Sequence, residues 1–187
     1  MINLSRRAIQ MKNSIIKYGL IAGTIIVAIP SISGLIMGYG EETFAMGEVI
    51  GYSTMIFSLM MIFVATKRYQ EANPDVVIGF KKIFLLGTGI SLIAGIMFGL
   101  YNVIYVLYID PDFMQKYYDY SITNIRNSGI SEQLADQKIA ELEEQKELFM
   151  SPSLNFLLMF VTVFVIGLVV SVISGLFQRD RNKLTKS

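Results

Sequence analysis

The sequence predicts an all-α integral membrane four-helix bundle with an external, periplasmic helical hairpin between the third and fourth spans, and three observations carry that prediction. Of the 187 residues, 53% are hydrophobic and the mean hydropathy is +0.52, whereas a soluble domain of this length keeps more charge to solvate its surface. Four uncharged runs recur along the chain, each close to the roughly 20 residues that cross a bilayer core at 1.5 Å rise per residue. Small residues repeat every four positions inside these runs, above all Gly87, Ser91, Gly95 and Gly99. That spacing draws a strip down one helix face where another helix backbone can come close.

The first element is a basic arm, residues 1–14, carrying Arg6, Arg7 and Lys12 with no acid. The apolar run from Tyr18 to Gly40 is too long for the core of a signal peptide, and no small-x-small cleavage site precedes Glu41 and Glu42, so it reads as a retained first span. Met11 is an alternative start, so residues 1–10 are expected either to fall outside the translated protein or to form a short disordered arm. Pro30 is expected to kink this helix, with Ser31 and Ser33 placed to satisfy the freed carbonyl. Gly19 and Gly23 supply a close-approach point.

After a short acidic turn, the second span runs from about Glu48 to Thr66, the shortest of the set, with Gly47, Gly51 and Ser58 on its small face. Lys67 and Arg68 end it, and Asn73-Pro74-Asp75 signals a turn. The third span, Ile83 to Ile109, completes the membrane segment 15–109. At Asp110-Pro111-Asp112 a new helix is expected, with Asp110 as N-cap and Pro111 in the first helical position. It stops at Ser128-Gly129. Ser131 then caps a second helix ending near Phe149, so residues 110–150 form an amphipathic hairpin. Pro152 breaks the chain before the fourth span, within 151–178, whose strip is Gly167, Ser171 and Gly175. The basic tail, 179–187, is expected to be disordered.

Charge sets the expected orientation. The arm, the second loop (Lys67, Arg68, Lys81, Lys82) and the tail hold most of the basic residues, while the hairpin segment has nine acids against four bases. Basic loops stay in the cytoplasm, so both termini are expected inside and the hairpin outside.

Little of the usual chemistry remains. The chain lacks cysteine, histidine and tryptophan, which removes thiolate sites, the commonest general base and the commonest metal ligand. No charged residue lies in mid-membrane, where such groups mark ion paths or catalytic sites. No catalytic, cofactor-binding or metal-binding residue is therefore expected, no cofactor, and no nucleic-acid partner. Two polar contacts remain open. Glu48 reads either as an interfacial carboxylate or as a contact for a cation or lipid headgroup, and Asn102 as a cross-helix bond or a ligand contact. The tyrosines from Tyr101 to Tyr120 read as an interfacial belt or as an aromatic groove for lipid or sugar. The acidic cluster from Asp136 to Glu147 lacks the ligand loop of an EF-type calcium site. Tyr117, Tyr120, Ile139, Leu142 and Phe149 offer a partner surface on the hairpin. Helix packing falls to Gly19, Gly23, Gly47, Gly51, Gly87, Ser91, Gly95, Gly99, Gly167, Ser171 and Gly175.

The runs MKNSIIKYGLIAG (11–23), GYSTMIFSLMMIFVATKRYQ (51–70), GFKKIFLLGTGISLIAG (79–95) and SPSLNFLLMFVTVFVIGLVVSVISGLF (151–177) resemble a family of small uncharacterised bacterial inner-membrane proteins, domain of unknown function four-one-nine-nine. The resemblance covers about residues 11 to 180. It implies four spans in a bacterial inner membrane, and no activity or functional residues. The function expected is that of a non-enzymatic accessory or assembly subunit. Its hairpin and glycine faces would dock a membrane-protein partner or a second copy in the lipid bilayer. The alternative is a small lipid or lipid-linked-sugar carrier acting as a dimer.

Overall fold

Every described element of the chain is helical, and the order of its eight α-helices follows the predicted spans with altered boundaries. The computed structural model describes residues 2–38, 40–74 and 77–184, and their side chains except at 2–4, 41, 148–149 and 179–184. Four helical segments are long and apolar enough to cross a bilayer: Ser5–Met37, Phe44–Glu71, Phe80–Ile109 and Pro152–Gln178.

Helix α1 spans Ile2–Met37, so residues 2–10 are helical rather than a disordered arm. Their Leu, Arg, Ala and Gln are good helix formers, and extending an existing helix costs far less than nucleating one. The hydroxyl of Tyr69 donates to the Arg7 carbonyl at 3.3 Å, which ties this extension to the bundle. The helix continues through Pro30, and Ser31 Oγ donates to the Val27 carbonyl at 2.7 Å. It stops at Gly38, whose φ of +83° is a left-handed conformation that glycine adopts without steric cost.

The second span is longer than expected and divided. α2 covers Phe44–Leu59 and α3 Met61–Glu71. The break is a local tightening at Met60, whose amide donates to both Ile56 and Phe57 carbonyls. Lys67 and Arg68 remain inside α3, where Glu71 lies at 4.0 and 3.3 Å from them. Charge at a helix end is compatible with a span whose apolar centre alone meets lipid, which is why charge located the ends too early. Of the Asn73-Pro74-Asp75 turn, Asp75 lies outside the described residues. Asn73 is buried and donates to the Tyr69 carbonyl at 2.9 Å.

α4 runs Phe80–Ile104 and passes into a π-helical stretch, Tyr105–Ile109, closed by the Asp110 amide donating to the Tyr105 carbonyl at 2.9 Å. Asp110 is not the N-cap. Asp112 holds that position before α5, Phe113–Asn127, with no side-chain capping bond. The buried Asp110 carboxylate instead takes the Lys116 ammonium at 2.9 Å, and a charge-assisted bond outweighs a neutral cap. Gly129, at φ +73°, follows the end of α5 as expected. α6 covers Glu132–Glu144 and α7 Lys146–Phe149. α8 spans Pro152–Leu184. Pro152 thus opens this helix, in the first-turn position where its missing N–H costs nothing, and the tail is helical through Leu184.

In the bundle, α4 packs on both α1 and α8, while α2 and α3 close the other side against the same two helices. α4 and α8 mesh by reciprocal small residues. A Cβ on Gly87 would strike Ser171, and one on Gly167 would strike Ser91. Farther along, Gly95 and Gly99 each bring the α4 backbone to within 3.1 Å, measured from an added Cβ, of the Phe160 and Phe156 carbonyls. Ser91 and Ser171 donate to Gly87 and Gly167 carbonyls four residues back, at 2.8 and 2.6 Å, so each buried hydroxyl is satisfied without a partner helix.

Candidate functional site

At the hairpin end of the bundle, the two glycines of α2 meet no neighbour. A Cβ added at Gly47 or Gly51 has nothing within 4 Å. The expectation that they pack a helix is corrected here: they line an open cavity of about 310 Å³. Its size lies at the lower end of small-molecule sites. The other expected packing positions do meet side chains. Gly19 and Gly23 face Ile93 and Met97 of α4, and Gly175 faces Phe80.

The aromatic wall of the cavity is built from three helix turns that converge. Phe44 and Glu48 lie one turn apart on α2, Tyr101 on α4 lies one turn before Tyr105 at the start of the π-helical stretch, and Phe113 and Tyr117 lie one turn apart on α5. Residues four apart share a helix face, so each pair points the same way. The aromatic members touch in series. Tyr101 lies 6.1 Å from Tyr105 between ring centroids, Tyr105 lies 5.1 Å edge-on to Phe113, and Phe113 lies 5.6 Å edge-on to Phe44. Phe44, only 7% exposed, also meets Tyr117 and Tyr120, at 5.8 and 5.3 Å. Such pairs contribute about 0.5–1.5 kcal/mol each beyond the area they bury. The hairpin is therefore fastened to the bundle through Phe44. Tyr117 and Tyr120, expected on a partner surface, are half-buried against Phe44. Ile139 and Leu142 are half-buried on α6, and the side chain of Phe149 lies outside the described residues.

The polar groups that matter most in the cavity come from four helices. Glu48 Oε1 accepts the Tyr117 hydroxyl at 2.6 Å, joining α2 to α5. Burial pushes the Tyr117 phenol well above its ordinary range, and the Glu48 carboxylate that accepts its proton pushes it further. Asn102 of α4 and Asn155 of α8 both line the space, and among the described residues neither side-chain oxygen has a hydrogen-bond partner. The antiparallel α4–α8 register explains why both line it: Gly99 lies on Phe156 and Gly95 on Phe160, so position 102 falls within a turn of position 155. Asn155 is 5% exposed, and its amide nitrogen donates to the Met114 sulfur at 3.1 Å. A thioether accepts and cannot donate, which fixes the amide with nitrogen toward Met114 and leaves the oxygen as the free end.

Glu48 and Asn102, singled out from sequence, are thus brought to one site. Phe44 and Asn155 were not anticipated. A polar residue in the first turn of the fourth span, at about the same depth as Asn102 near the end of the third, was the signal for Asn155. Nothing local marks Phe44, because its role depends on a hairpin nearly 70 positions away. Among the described lining residues Glu48 is the charged one, and no group of three or more acidic side chains arranged to hold a metal ion occurs among the described residues. The set can accept hydrogen bonds and receive apolar matter.

No curated protein and no solved structure matches this chain. A family model does match, over residues 17–180, and by that span the chain belongs to the family described as Protein of unknown function (DUF4199).

Proposed function

We propose that this protein lies in a bacterial inner membrane with both termini cytoplasmic and the α5–α6 hairpin periplasmic, and that its cavity binds the polar end of a lipid-like molecule without enzymatic chemistry. This is the binding step that a small lipid or lipid-linked-sugar carrier requires. The single observation that carries the reading is the cavity itself: aromatic and aliphatic walls around a few buried oxygen acceptors at the hairpin end of four apolar helices. An amphiphile matches such a lining, since its tail is covered by apolar side chains and its head by the acceptors. The orientation follows from the basic flanks at the opposite end. A subunit that docks a larger complex through its hairpin and small-residue faces is the second reading; of its hairpin surface, Tyr117 and Tyr120 already contact Phe44.

Native mass spectrometry of the protein released from mild detergent tests the reading. The expected result is one lipid-sized adduct per chain, lost when Gly51→Phe fills the cavity. A bare chain, or an adduct indifferent to Gly51→Phe, would overturn it. The chain has no cysteine, so single cysteines at Gln137 and Asn182 report orientation directly. Labelling of both by the same membrane-impermeant reagent in whole cells would refute the assigned topology.

A further inference from the structure

Resting on the cavity reading above, we propose that the polar head received between Glu48, Asn102 and Asn155 is a single ammonium group, so that the ligand is an amine-headed amphiphile and neither an anionic nor a neutral one.

Three features of the cavity converge on that chemistry. Its charge is negative: Glu48 lines it and, among the described residues, no basic side chain does. Two of its buried polar atoms are acceptors left without a donor. The side-chain oxygens of Asn102 and Asn155 are buried and have no partner among the described residues, and the Met114 contact holds the Asn155 amide with its oxygen free. A buried carbonyl without a donor is costly, so the site is complete only when a donor arrives. An ammonium carries three donors and a positive charge, and can bond to one carboxylate and two carbonyls. A hydroxyl head brings one donor and no charge. A carboxylate or phosphate head brings no donor and is repelled by Glu48. The third feature is the wall of rings, Phe44, Tyr101, Tyr105, Phe113 and Tyr117, whose faces attract a desolvated cation. The Tyr117 hydroxyl already donates to Glu48 at 2.6 Å, which positions the carboxylate and leaves its remaining lone pairs for the head.

The test uses the full chain in a nonionic detergent and three probes of equal tail length, dodecylamine, dodecanol and dodecanoate, added singly and scored by native mass spectrometry. Dodecylamine is expected to hold a one-to-one adduct at concentrations at least about tenfold lower than dodecanol, with no dodecanoate adduct, as charge-assisted bonds are roughly twice as strong as neutral ones. Glu48→Gln, a change at an exposed position, is expected to reduce the amine preference about tenfold. Asn155→Leu, with helicity checked by circular dichroism, is expected to reduce it as well. Equal retention of amine and alcohol would overturn the ammonium assignment while leaving lipid binding in place. An amine preference unchanged in Glu48→Gln would overturn it too. Failure of all three probes to bind also overturns it, and the lipid co-purified with the untreated chain then decides separately whether the broader reading survives.

Discussion

Gly167→Ala should cost far more than one methyl group ordinarily does in a membrane helix. The new Cβ would overlap Ser91 of α4, closer than real side chains approach, with Leu59 Cδ2 at 3.4 Å behind it. Ser91 cannot retreat: it is fully buried and its hydroxyl donates to the Gly87 carbonyl at 2.8 Å. Overpacking at such a contact costs about 1–3 kcal/mol. Remove the obstruction with Ser91→Gly and the alanine meets only the ordinary contact with Leu59, so its cost in that background should fall below about 0.5 kcal/mol. The coupling between the two positions is then about 1–2.5 kcal/mol, within the range for residues in direct contact. The transposed pair, Ser91→Gly with Gly167→Ser, should lie within about 1 kcal/mol of the parent, the usual tolerance for volume-conserving exchange. Unfolding free energies from steric trapping in bicelles measure all four corners of the cycle. Gly51→Ala serves as the contrast, since a Cβ there meets nothing. It should be neutral or stabilise by up to about 1 kcal/mol, through the helix preference of alanine. Equal costs for Gly167→Ala with and without Ser91 would refute the reciprocal packing.

Tyr117→Phe removes the hydroxyl that bonds Glu48. It should weaken hairpin docking by about 1 kcal/mol, seen as faster amide exchange across α5. Because the folded phenol titrates above the unfolded value of 10.0, the stability it contributes is whole below that pH. It is lost as the pH rises through the folded value. The loss of docking above pH 10 should be smaller in Tyr117→Phe, and an identical alkaline profile would count against the Glu48 contact. Lys116→Met should destabilise by about 1–3 kcal/mol, because it strands the buried Asp110 carboxylate. Asp110→Asn should cost less, since the half-exposed Lys116 can turn to water; chemical denaturation of the pair would show the order. Gly129→Ala, forced to φ +73°, should cost about 1–2 kcal/mol and loosen the α5–α6 turn in hydrogen exchange.

The composition and hydropathy of the chain were enough to define four helices of membrane-spanning length, the hairpin between the last two, and the small-residue faces of α1, α4 and α8. These depend on local quantities: apolar run length, residue spacing and turn residues such as Gly129. Boundaries were less legible. Charge placed the ends of α3 and α8 too early, because a helix carries its lysines and arginines past the apolar core. Asp110 was misassigned as a cap, because a lysine six positions ahead competes for its carboxylate.

What the tertiary structure alone decided is which small faces are filled. Gly51 and Gly87 belong to the same kind of strip in the sequence, yet Gly87 receives Ser171 and Gly51 borders open space. The difference is set by the neighbouring helix, which residue spacing does not encode. Likewise Phe44, Glu48, Asn102, Tyr117 and Asn155 come from four separate segments, and only the α4–α8 register and the fold-back of α5 bring them together. A helix face is a property of its own residues, and a cavity is a property of the faces that fail to meet.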